Sequence, residues 1–357
     1  MNSTKGSKLC FKGQTVFVGI DTHKNSNRLT FILNDQMMQT VKRSSNSSEI
    51  VDYLNFHFPE ANYKSAYEAG FSGFSLHRDL VEAGIDNIVV HAADVPLSDK
   101  DKEQKSDKRD SRQIAKCLVA KLLEGIYIPN LDQESLRNMV RYRKQLVNDL
   151  SASRIRMKMW LHFMGYKTPP ALANSKWNAN FINWLAELEP TQNLNKWVLE
   201  NYLERVEQHR AWLLKTNRQL RELSKSEQYQ KDYNLLLSIC GIGMVGAWTI
   251  LSEIGPIERF SSEKKLHSYA GLIPKTYSSG EKHCSNKITN RGNKRLRAQL
   301  IESAWVAIRT DPALALFYQK KLKNKDKNIA IVSVAKKLLS RIRAVLINQT
   351  VYERNRV

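Results

Sequence analysis

The sequence predicts a mixed α/β sheet in the first third of the chain, followed by a mostly helical remainder. Short apolar runs rich in β-branched residues alternate with helical spacing up to about residue 129, and the later segments keep a helical period. The 357 residues suffice for two or three domains. With 42% hydrophobic and 25% charged residues, the composition excludes a wholly disordered or fibrous chain.

The first region contains five predicted strands and two predicted helices. We expect strands over residues 15–20, 28–34, 39–43, 63–68 and 87–92. A helix capped by Ser47 or Ser48 should run to residue 58, and a second should cover 74–83 with Gly84 as its C′ residue. Strands first, then alternating helices and strands, are typical of a mixed sheet.

The rest of the chain shows helical spacing. A helix should begin at Ser106, long helices should cover residues 131–162 and 196–223, and a Trp-bearing stretch lies between the long pair. Such a pair would form an antiparallel arm or a coiled-coil surface. Farther on, residues 235–254 read as helix, glycine turn and helix, and 275–288 as a polar loop or hairpin. Further helices are predicted at 262–271, 293–308 and 330–349.

These patterns divide the chain into four regions. Residues 14–129 hold the mixed sheet, 130–230 the helical linker with its Trp-bearing insert, 231–312 a helical domain with a polar loop, and 313–357 a basic helical tail.

The charge balance favours a polyanionic partner. The chain has 56 Lys and Arg against 35 Asp and Glu, a formal net charge of +21. Nucleic acid is the expected partner, although charge by itself does not separate DNA from RNA or from an anionic membrane surface.

The cysteines and the apolar segments indicate a cytoplasmic protein. The four cysteines form no C-x-x-C pair, which argues against a disulfide framework or a zinc knuckle; they are Cys10, Cys117, Cys240 and Cys284. Residues 1–13 lack the apolar core of a signal peptide. The uncharged run 233–252 is interrupted by glycines and reads as a buried helix pair rather than a membrane span.

Four carboxylates follow a pattern that suits a metal site. Asp21 ends the first predicted strand, Glu68 ends a later one, and Asp107 and Asp110 open the next helix. Residues three apart share a helix face, so the last two can converge. Carboxylate oxygens are suitable Mg²⁺ ligands, and bound Mg²⁺ can assist phosphoryl transfer. Each acid taken singly is as consistent with a solvated surface, but the joint pattern favours a metal site.

The opening Gly19-Ile20-Asp21, followed by Thr22 and Lys24, also matches the first phosphate loop of actin-like sugar kinases. That fold needs further glycine-rich loops, and neither these nor a GxxxxGK[ST] or GxGxxG motif occurs. The sequence therefore argues against ATP binding.

A glycine turn and a basic segment in the third region suggest phosphate contacts. Gly241 and Gly243 lie between two predicted helices, as in a helix-hairpin-helix whose N–H groups face DNA phosphate. The alternative is that these glycines only permit close helix packing. Residues 275–297 carry seven basic residues against one acidic. The predicted nucleic-acid-binding residues are Gly241, Gly243, Lys275, Lys282, Lys287, Arg291, Lys294, Arg295 and Arg297.

Ser279 lies in a polar turn within this basic segment. A serine in such a loop is ordinarily a turn former, and no sequence pattern pairs it with a Ser-His-Asp triad, although His283 is near. The spacing of residues therefore gives Ser279 no role.

Several segments recur together in one known family. From about residue 16 to 309 they are VGIDTHKNS, YEAGFSG, KSDKRDSRQIAKCL, ICGIGMVGAWTILSEIG, YAGLIPKTYSSGEK and ITNRGNKRLR. In this order they resemble the DEDD transposases of the IS110 class of bacterial insertion sequences, which are bridge-RNA-guided DNA recombinases. The residues Thr22-His23 and those around Asp107 differ slightly from the residues that are usual in the family. The lysine-rich tail after Ala313 matches less well, and we interpret it as an RNA- or DNA-contacting extension.

The resemblance implies a fold and a division of roles. It implies an RNase H-like (RuvC-like) N-terminal domain, a coiled-coil linker and a C-terminal transposase domain. It further implies that Ser279, with Ser278 as a rival, is the nucleophile that joins covalently to DNA. The four acidic residues would hold Mg²⁺ beside it; they are Asp21, Glu68, Asp107 and Asp110.

The resemblance also implies partners. The chain would form a homo-oligomer, dimer to tetramer. The active unit would be a tetramer in which the RuvC-like domain and the serine-bearing domain of different protomers combine at each cut site. A structured guide RNA would select target and donor DNA, so the protein would read backbone shape more than bases.

Three functions are compatible with these features. The leading one is a site-specific DNA recombinase acting through Ser279 and the acidic cluster. The second is a metal-dependent RNase H-like endonuclease or junction resolvase with no covalent serine step. The third is a non-catalytic nucleic-acid-binding protein that uses the glycine turn and the basic segments.

Overall fold

The structure is a computed structural model that describes residues 10–96, 107–172, 177–274, 277–279, 282–284, 288–289 and 291–354. The side chains of residues 107–108, 277–279 and 282–284 lie outside this description. The contacts divide the chain into two compact units, one ending at Ile128 and the other beginning at Pro129.

The first unit is built on a mixed five-stranded sheet in the order β3-β2-β1-β4-β5. β1, β2 and β3 form an antiparallel meander, whereas β1, β4 and β5 are parallel neighbours. The strands are β1 (Thr15–Thr22), β2 (Ser26–Leu33), β3 (Gln36–Ser44), β4 (Asn62–Glu68) and β5 (Asp86–Val90). The prediction of a mixed α/β region is confirmed, with strand ends shifted by a few residues.

Helices cover both faces of this sheet. Val16, Val18 and Ile20 point from β1 into one core, which α1 (Ser47–His57) and α2 (Ser75–Glu82) close. The opposite face is covered by α3 (Asp107–Val119). Because side chains alternate along a strand, every second residue of β1 faces α1 and α2, and the residues between them face α3.

Two local predictions about helix ends have different outcomes. Gly84 follows α2 with φ of +81°, as expected for a C′ glycine. The predicted N-cap of α1 is wrong, because the Asn46 side chain caps this helix by accepting a hydrogen bond of 3.1 Å from the Ser48 amide. An asparagine one residue earlier supplies the same acceptor as the serines would, with the extended backbone that a cap needs.

The second unit contains an antiparallel pair of long helices, α4 (Leu131–Phe163) and α6 (Asn193–Leu223). Arg143 Nε donates to Asn217 Oδ1 at 2.7 Å, and farther along Ser153 Oγ lies 3.0 Å from His209 Nδ1, which fixes the antiparallel direction. Between them, α5 (Ala179–Ala186) belongs to an aromatic-rich cluster. The predicted pair of long helices is present, and their supercoiling as a coiled coil stays a prediction.

The remaining helices of this unit share one apolar core. They are α7 (Glu227–Leu237), α8 (Met244–Ile254), α9 (Glu263–Ala270), α10 (Lys294–Thr310), α11 (Pro312–Leu322) and α12 (Lys327–Asn348). Trp248 of α8 and Leu338 of α12 are fully buried in it. The short strands β6 (Tyr277–Ser279) and β7 (Lys282–Cys284) pair as an antiparallel hairpin between α9 and α10.

None of the helices in the described part of the chain is both long and apolar enough to cross a membrane. The uncharged run 233–252 instead forms the end of α7, a turn and most of α8, largely buried in the helical core.

Candidate functional site

The first two acidic residues lie side by side at the ends of parallel strands. The register of β1 and β4 pairs Ile20 with Tyr67, so its continuation by one residue places Asp21 beside Glu68. Residues in register on adjacent strands point to the same face. The two carboxylates therefore share one edge and one face of the sheet.

Gly19 identifies that face as the one covered by α3. A methyl group placed on Gly19 would lie 2.1 Å from the Ser111 carbonyl oxygen and 2.4 Å from the Ala115 nitrogen, so the helix rests directly on the strand backbone. On β4, Ala66 is buried against Ile114 of the same helix. Asp21 and Glu68 lie two residues beyond Gly19 and Ala66, and the period of two puts them on the α3 side.

The start of α3 is tied to the sheet by buried hydroxyls. Ser111 Oγ lies 2.9 Å from Thr30 Oγ1, which lies 3.0 Å from Thr40 Oγ1. Asp110 immediately precedes Ser111, and Asp107 begins the helix one turn earlier. The backbone of this first turn is therefore held on the face that carries Asp21, while the Asp107 side chain lies outside the described residues.

Asp21 has a histidine neighbour for which the sequence pattern predicted no role. His23 Nε2 lies 3.0 Å from Asp21 Oδ2, and the two side chains are 40% and 19% exposed. The His23 amide donates to the Ser26 carbonyl, which closes the turn between β1 and β2. This contact orients the Asp21 carboxylate at the open edge of the sheet. The signal was the i, i+2 spacing of Asp21 and His23, which puts two polar residues on one side of a strand end.

The acidic set suits a divalent metal by its chemistry. All four donors are carboxylates, the oxygen ligands that hard cations such as Mg²⁺ prefer. Among the described side chains, no group of three or more His, Cys, Asp or Glu converges tightly enough to hold a metal ion. Asp107 is not among these side chains, because its side chain lies outside the described residues. The four residues fit the ion by donor type, and their convergence stays a prediction.

The predicted polar loop contains a β-hairpin. Ser279 ends β6 opposite Lys282, and Ser278 pairs with His283 on β7. The backbone of Ser279 is thus extended and paired, although the sequence around it carries no strand pattern. The side chains of these residues, and residues 275, 276, 280, 281 and 285–287, lie outside the description. The role of Ser279 stays a prediction.

The two glycines of the predicted hairpin turn differ. Gly241 has φ of +87°, and a methyl group there would lie 2.3 Å from the Ser303 carbonyl oxygen and 2.9 Å from the Ala307 nitrogen of α10. Gly243 is exposed at the N-cap of α8, and its methyl group would meet nothing. Close packing thus accounts for Gly241, whereas Gly243 remains accessible for a backbone contact to phosphate.

The basic residues predicted to contact nucleic acid differ in their exposure to solvent. Arg291, Lys294 and Arg295 are exposed at the start of α10. Arg297 is half-buried, and its Nη1 donates to the backbone carbonyls of Thr289 and Gly271 at 2.8 and 3.3 Å. Lys275 and Lys287 lie outside the described residues, as does the side chain of Lys282.

A buried carboxylate that the sequence analysis missed lies in the same unit. Glu253 of α8 is 1% exposed and receives two hydrogen bonds from Arg141, at 2.8 and 2.9 Å. Asn293, the N-cap of α10, donates to Glu253 Oε2 at 2.7 Å. Burial alone would raise the Glu253 pKa, but the hydrogen bonds and the charges of Arg141 and Arg137 hold it below its ordinary value. Its only sequence signal was a glutamate inside an apolar helix.

The fold and the acidic strand ends define a class of protein. A mixed sheet with carboxylates at its parallel edge, followed by a helical region, fits an RNase H-like domain joined to a helical C-terminal part. Residues 18–165 match the DEDD transposase family of the IS110 type, and residues 233–319 match the Transposase IS116/IS110/IS902 family. The chain belongs to the IS110 family of DEDD transposases. Transposases are enzymes that cut and rejoin DNA.

The individual relatives have low sequence identity to this chain, but the matched segments are long. The chain is similar to two Sinorhizobium fredii proteins named as candidate transposases. It is 27% identical to y4qE and 28% identical to y4rJ. These matches cover 67% and 76% of this chain, and 57% and 74% of the relatives. It is 24% identical to the transposase for insertion sequence element IS1533 of Leptospira borgpetersenii, over 81% of this chain and 84% of that protein.

Proposed function

We propose that this protein is a site-specific DNA recombinase of an insertion sequence, which cuts and rejoins DNA through Ser279. The acidic residues Asp21, Glu68, Asp107 and Asp110 would hold a divalent cation, Mg²⁺, beside the scissile phosphate. The observation that supports this best is the placement of Asp21 and Glu68 next to each other at the parallel strand ends, on the face that α3 crosses. Membership of the DEDD transposase family supports the same set of residues.

The chemistry is two successive transesterifications. Ser279 Oγ attacks the phosphorus, an Oγ–P bond forms, and the bond from phosphorus to a deoxyribose oxygen breaks, with the serine proton passing to the leaving oxygen. A deoxyribose hydroxyl of the second DNA then attacks the phosphoserine linkage and releases the serine. Each step exchanges one phosphate ester for another, so no external energy source is needed. A divalent cation bound by the four acids would stabilise the negative charge that develops on the phosphate oxygens.

The partners are DNA and a structured guide RNA, bound by a homo-oligomer of two to four copies. The net charge of +21 and the exposed cations at the start of α10 support binding to a polyanion. Guidance by RNA and the tetramer rest on the family resemblance. Gly243, Arg291, Lys294 and Arg295 would contact the phosphate backbone and fix its position.

The test is a covalent-adduct assay. The purified full chain is mixed with RNA transcribed from the non-coding DNA that flanks its coding region, and with a nicked suicide duplex bearing the same flanks. A denaturing gel should show a protein–DNA adduct that is absent for Ser279→Ala and greatly reduced for Asp21→Asn and Glu68→Gln. Ser278→Ala serves as the matched control and should retain the adduct. Free nicked ends made equally by Ser279→Ala would refute the serine step.

A second candidate is a metal-dependent endonuclease or resolvase in which water attacks the phosphate. The acidic residues at the strand ends would suffice for that reaction. It predicts that Ser279→Ala cleaves normally, that no adduct forms with any variant, and that Glu68→Gln alone abolishes cleavage.

A further inference from the structure

A concave site in the second unit gathers positive charge. It has a volume of about 560 Å³ and lies between α9, α11 and α12. Four lysines line it, and we name this the lysine pocket; they are Lys264, Lys321, Lys336 and Lys337. One acidic residue, Glu263, lines it as well.

The positive charge of the lysine pocket is not balanced by its own carboxylate. Glu263 Oε2 accepts a hydrogen bond of 2.8 Å from Ser340 Oγ, which in turn lies 3.1 Å from His267 Nε2. Among the described residues, none of the four lysines forms an ion pair with an acid. The pocket therefore presents four ammonium groups against one carboxylate.

Two of these lysines are held in place by an aromatic ring. Lys321 and Lys337 are half-buried, and their Nζ atoms lie 5.2 and 5.8 Å from the centroid of the Phe317 ring. A ring at this distance attracts a cation and limits its movement. Like charges held in one concavity repel each other, and an anion bound between them removes that cost.

We propose that the lysine pocket binds the phosphodiester backbone of a nucleic acid. Lysine binds phosphate as a point charge, so the pocket would hold a backbone without reading its sequence. The two serines that line the pocket already donate their hydroxyls, Ser333 to the Ile329 carbonyl and Ser340 to Glu263, so the lysines would supply the phosphate contacts. Both duplex DNA and structured RNA carry this backbone, and the pocket does not depend on the role of Ser279.

The experiment compares two double variants of the full chain that remove equal charge. Lys321→Gln with Lys337→Gln empties the pocket of its two half-buried cations. Lys215→Gln with Lys231→Gln removes two exposed cations elsewhere in the second unit, to which no nucleic-acid contact is assigned, and is the matched control. The probes are a mixed-sequence duplex DNA and an RNA hairpin, each fluorescently labelled, with Kd measured over a range of KCl concentrations.

The pocket variant should lower the slope of log Kd against log salt by about 2 for at least one probe, because each lost phosphate contact removes about 0.9 for duplex DNA. The control should change that slope by less than half as much. The probe that responds identifies the source of the backbone. Equal changes in both double variants, or none in either, would overturn the proposal. Lys264→Gln with Lys336→Gln, both exposed, repeats the test should the first variant fold poorly.

A different observation concerns the base of the serine hairpin. The chain leaves α9 at Gly271 and returns at Gly292, with φ of +68° and +110°. A methyl group on Gly292 would lie 2.7 Å from the Gly271 Cα, so the two backbones touch. Between these points the Thr289 amide donates to the Ile273 carbonyl at 3.2 Å. We call this closed base the hairpin neck.

Arg297 closes the hairpin neck from α10. Its Nη1 donates to the carbonyls of Thr289 and Gly271, one on each side of the neck. The geometry points to Arg297 as a positioning residue for Ser279 rather than a phosphate contact. This inference rests on the proposed role of Ser279. A guanidinium Nη1 carries two N–H groups, so this one nitrogen can donate to both carbonyls at once.

The test separates rate from affinity in the adduct assay. Arg297→Gln should slow adduct formation at saturating DNA by about tenfold to a hundredfold, the effect of a misplaced reacting group, with Kd for the duplex changed less than twofold. Arg295→Gln, an exposed position on the same helix, should weaken Kd and leave the saturated rate intact. Arg297→Lys should recover part of the rate.

Two results would overturn this inference. In the first, Arg297→Gln behaves like Arg295→Gln, with weaker binding and a normal rate at saturating DNA. In the second, Arg297→Lys restores none of the rate although it unfolds at the same temperature as the parent. An adduct that persists in Ser279→Ala would instead refute the proposed function itself, so the two failures are distinguishable.

Discussion

Gly19 in the first unit and Gly241 in the second are crossed by helices in nearly the same way. Each faces the carbonyl of a serine and the amide of an alanine four residues later, Ser111 and Ala115 on α3 and Ser303 and Ala307 on α10. In both units the crossing helix begins next to the proposed chemistry. The acidic pair of α3 precedes Ser111, and α10 follows the serine hairpin.

The two crossings differ in backbone conformation and in their polar ties. Gly19 is in an extended strand, so only space excludes a side chain, whereas Gly241 also has a positive φ. The start of α3 is tied to the sheet by neutral hydroxyls of Ser111 and Thr30. The start of α10 is tied to α8 through the ionised Glu253. Because of these differences, we expect the two units to respond differently to backbone strain and to pH.

The largest effect is expected from removing the charged tie. Glu253→Ala leaves Arg141 and Arg137 without their buried partner, and breaking such a pair costs about 3–5 kcal/mol. Urea unfolding of the full chain should show a weakened transition for the second unit and an unchanged one for the first. Glu222→Ala, whose ion pair with Lys225 is exposed, is the control and should change little.

Acid should affect the two units differently because of the same carboxylate. Since the Glu253 pKa is lowered on folding, its stabilising contribution is fully present above the unfolded pKa of a glutamate and is lost as pH falls through the lower folded value. Thermal unfolding from pH 6 downward should therefore show the second unit losing stability in the acidic range. Glu253→Gln should flatten that part of the pH profile; an unaltered profile would contradict the charged tie.

A methyl group at Gly241 tests space and conformation together. Gly241→Ala should destabilise the second unit by about 2–5 kcal/mol, from overpacking of about 1–3 and left-handed strain of about 1–2. Gly243→Ala is the matched control, because its backbone is extended and the space beside it is open. Equal unfolding midpoints for the two variants would show that α10 does not rest on Gly241.

The equivalent change in the first unit should cost less. Gly19→Ala meets only the steric penalty, about 1–3 kcal/mol, and should displace the start of α3 with its acidic residues. Since the nearest atoms belong to the backbone of Ser111 and Ala115, adding Ala115→Gly should not restore stability. Full recovery in that double variant, measured by urea unfolding, would mean that the Ala115 side chain alone makes the contact.

The smallest expected difference is between the two asparagine caps. Asn46→Ala removes one cap bond from α1 and should cost about 1 kcal/mol. Asn293→Ala removes the cap of α10 and also the hydrogen bond to Glu253, so it should cost more. Chemical denaturation of both variants checks this order, and a smaller cost for Asn293→Ala would contradict the tie between α10 and α8.

The sequence predicted what depends on local pattern. Apolar alternation located the strands, Gly84 marked the end of α2, and the order of acidic residues pointed to one sheet edge, all from period and propensity. It did not predict α5 or α11 as separate helices, because aromatic and lysine-rich stretches obscure the 3.6-residue period.

What the sequence did not show depends on tertiary contacts. The sequence around Glu253 does not predict its hydrogen bonds to Arg141 and Asn293, because both residues are more than 35 positions away along the chain. Arg297 looks like its exposed neighbour Arg295 until the fold brings Thr289 and Gly271 to its guanidinium. A basic residue in a basic segment can bind a nucleic-acid phosphate or donate hydrogen bonds to carbonyls of the protein backbone. Only the tertiary packing shows which of the two it does.

The most direct measurement is to locate the DNA linkage within the protein. The gel-purified adduct is digested with nuclease and protease, and the peptide that spans Ser278 and Ser279 is sequenced by tandem mass spectrometry. We expect a nucleotide phosphate on Ser279 and an unmodified Ser278. A nucleotide on any other residue, or nicked DNA recovered entirely free of protein, would contradict it.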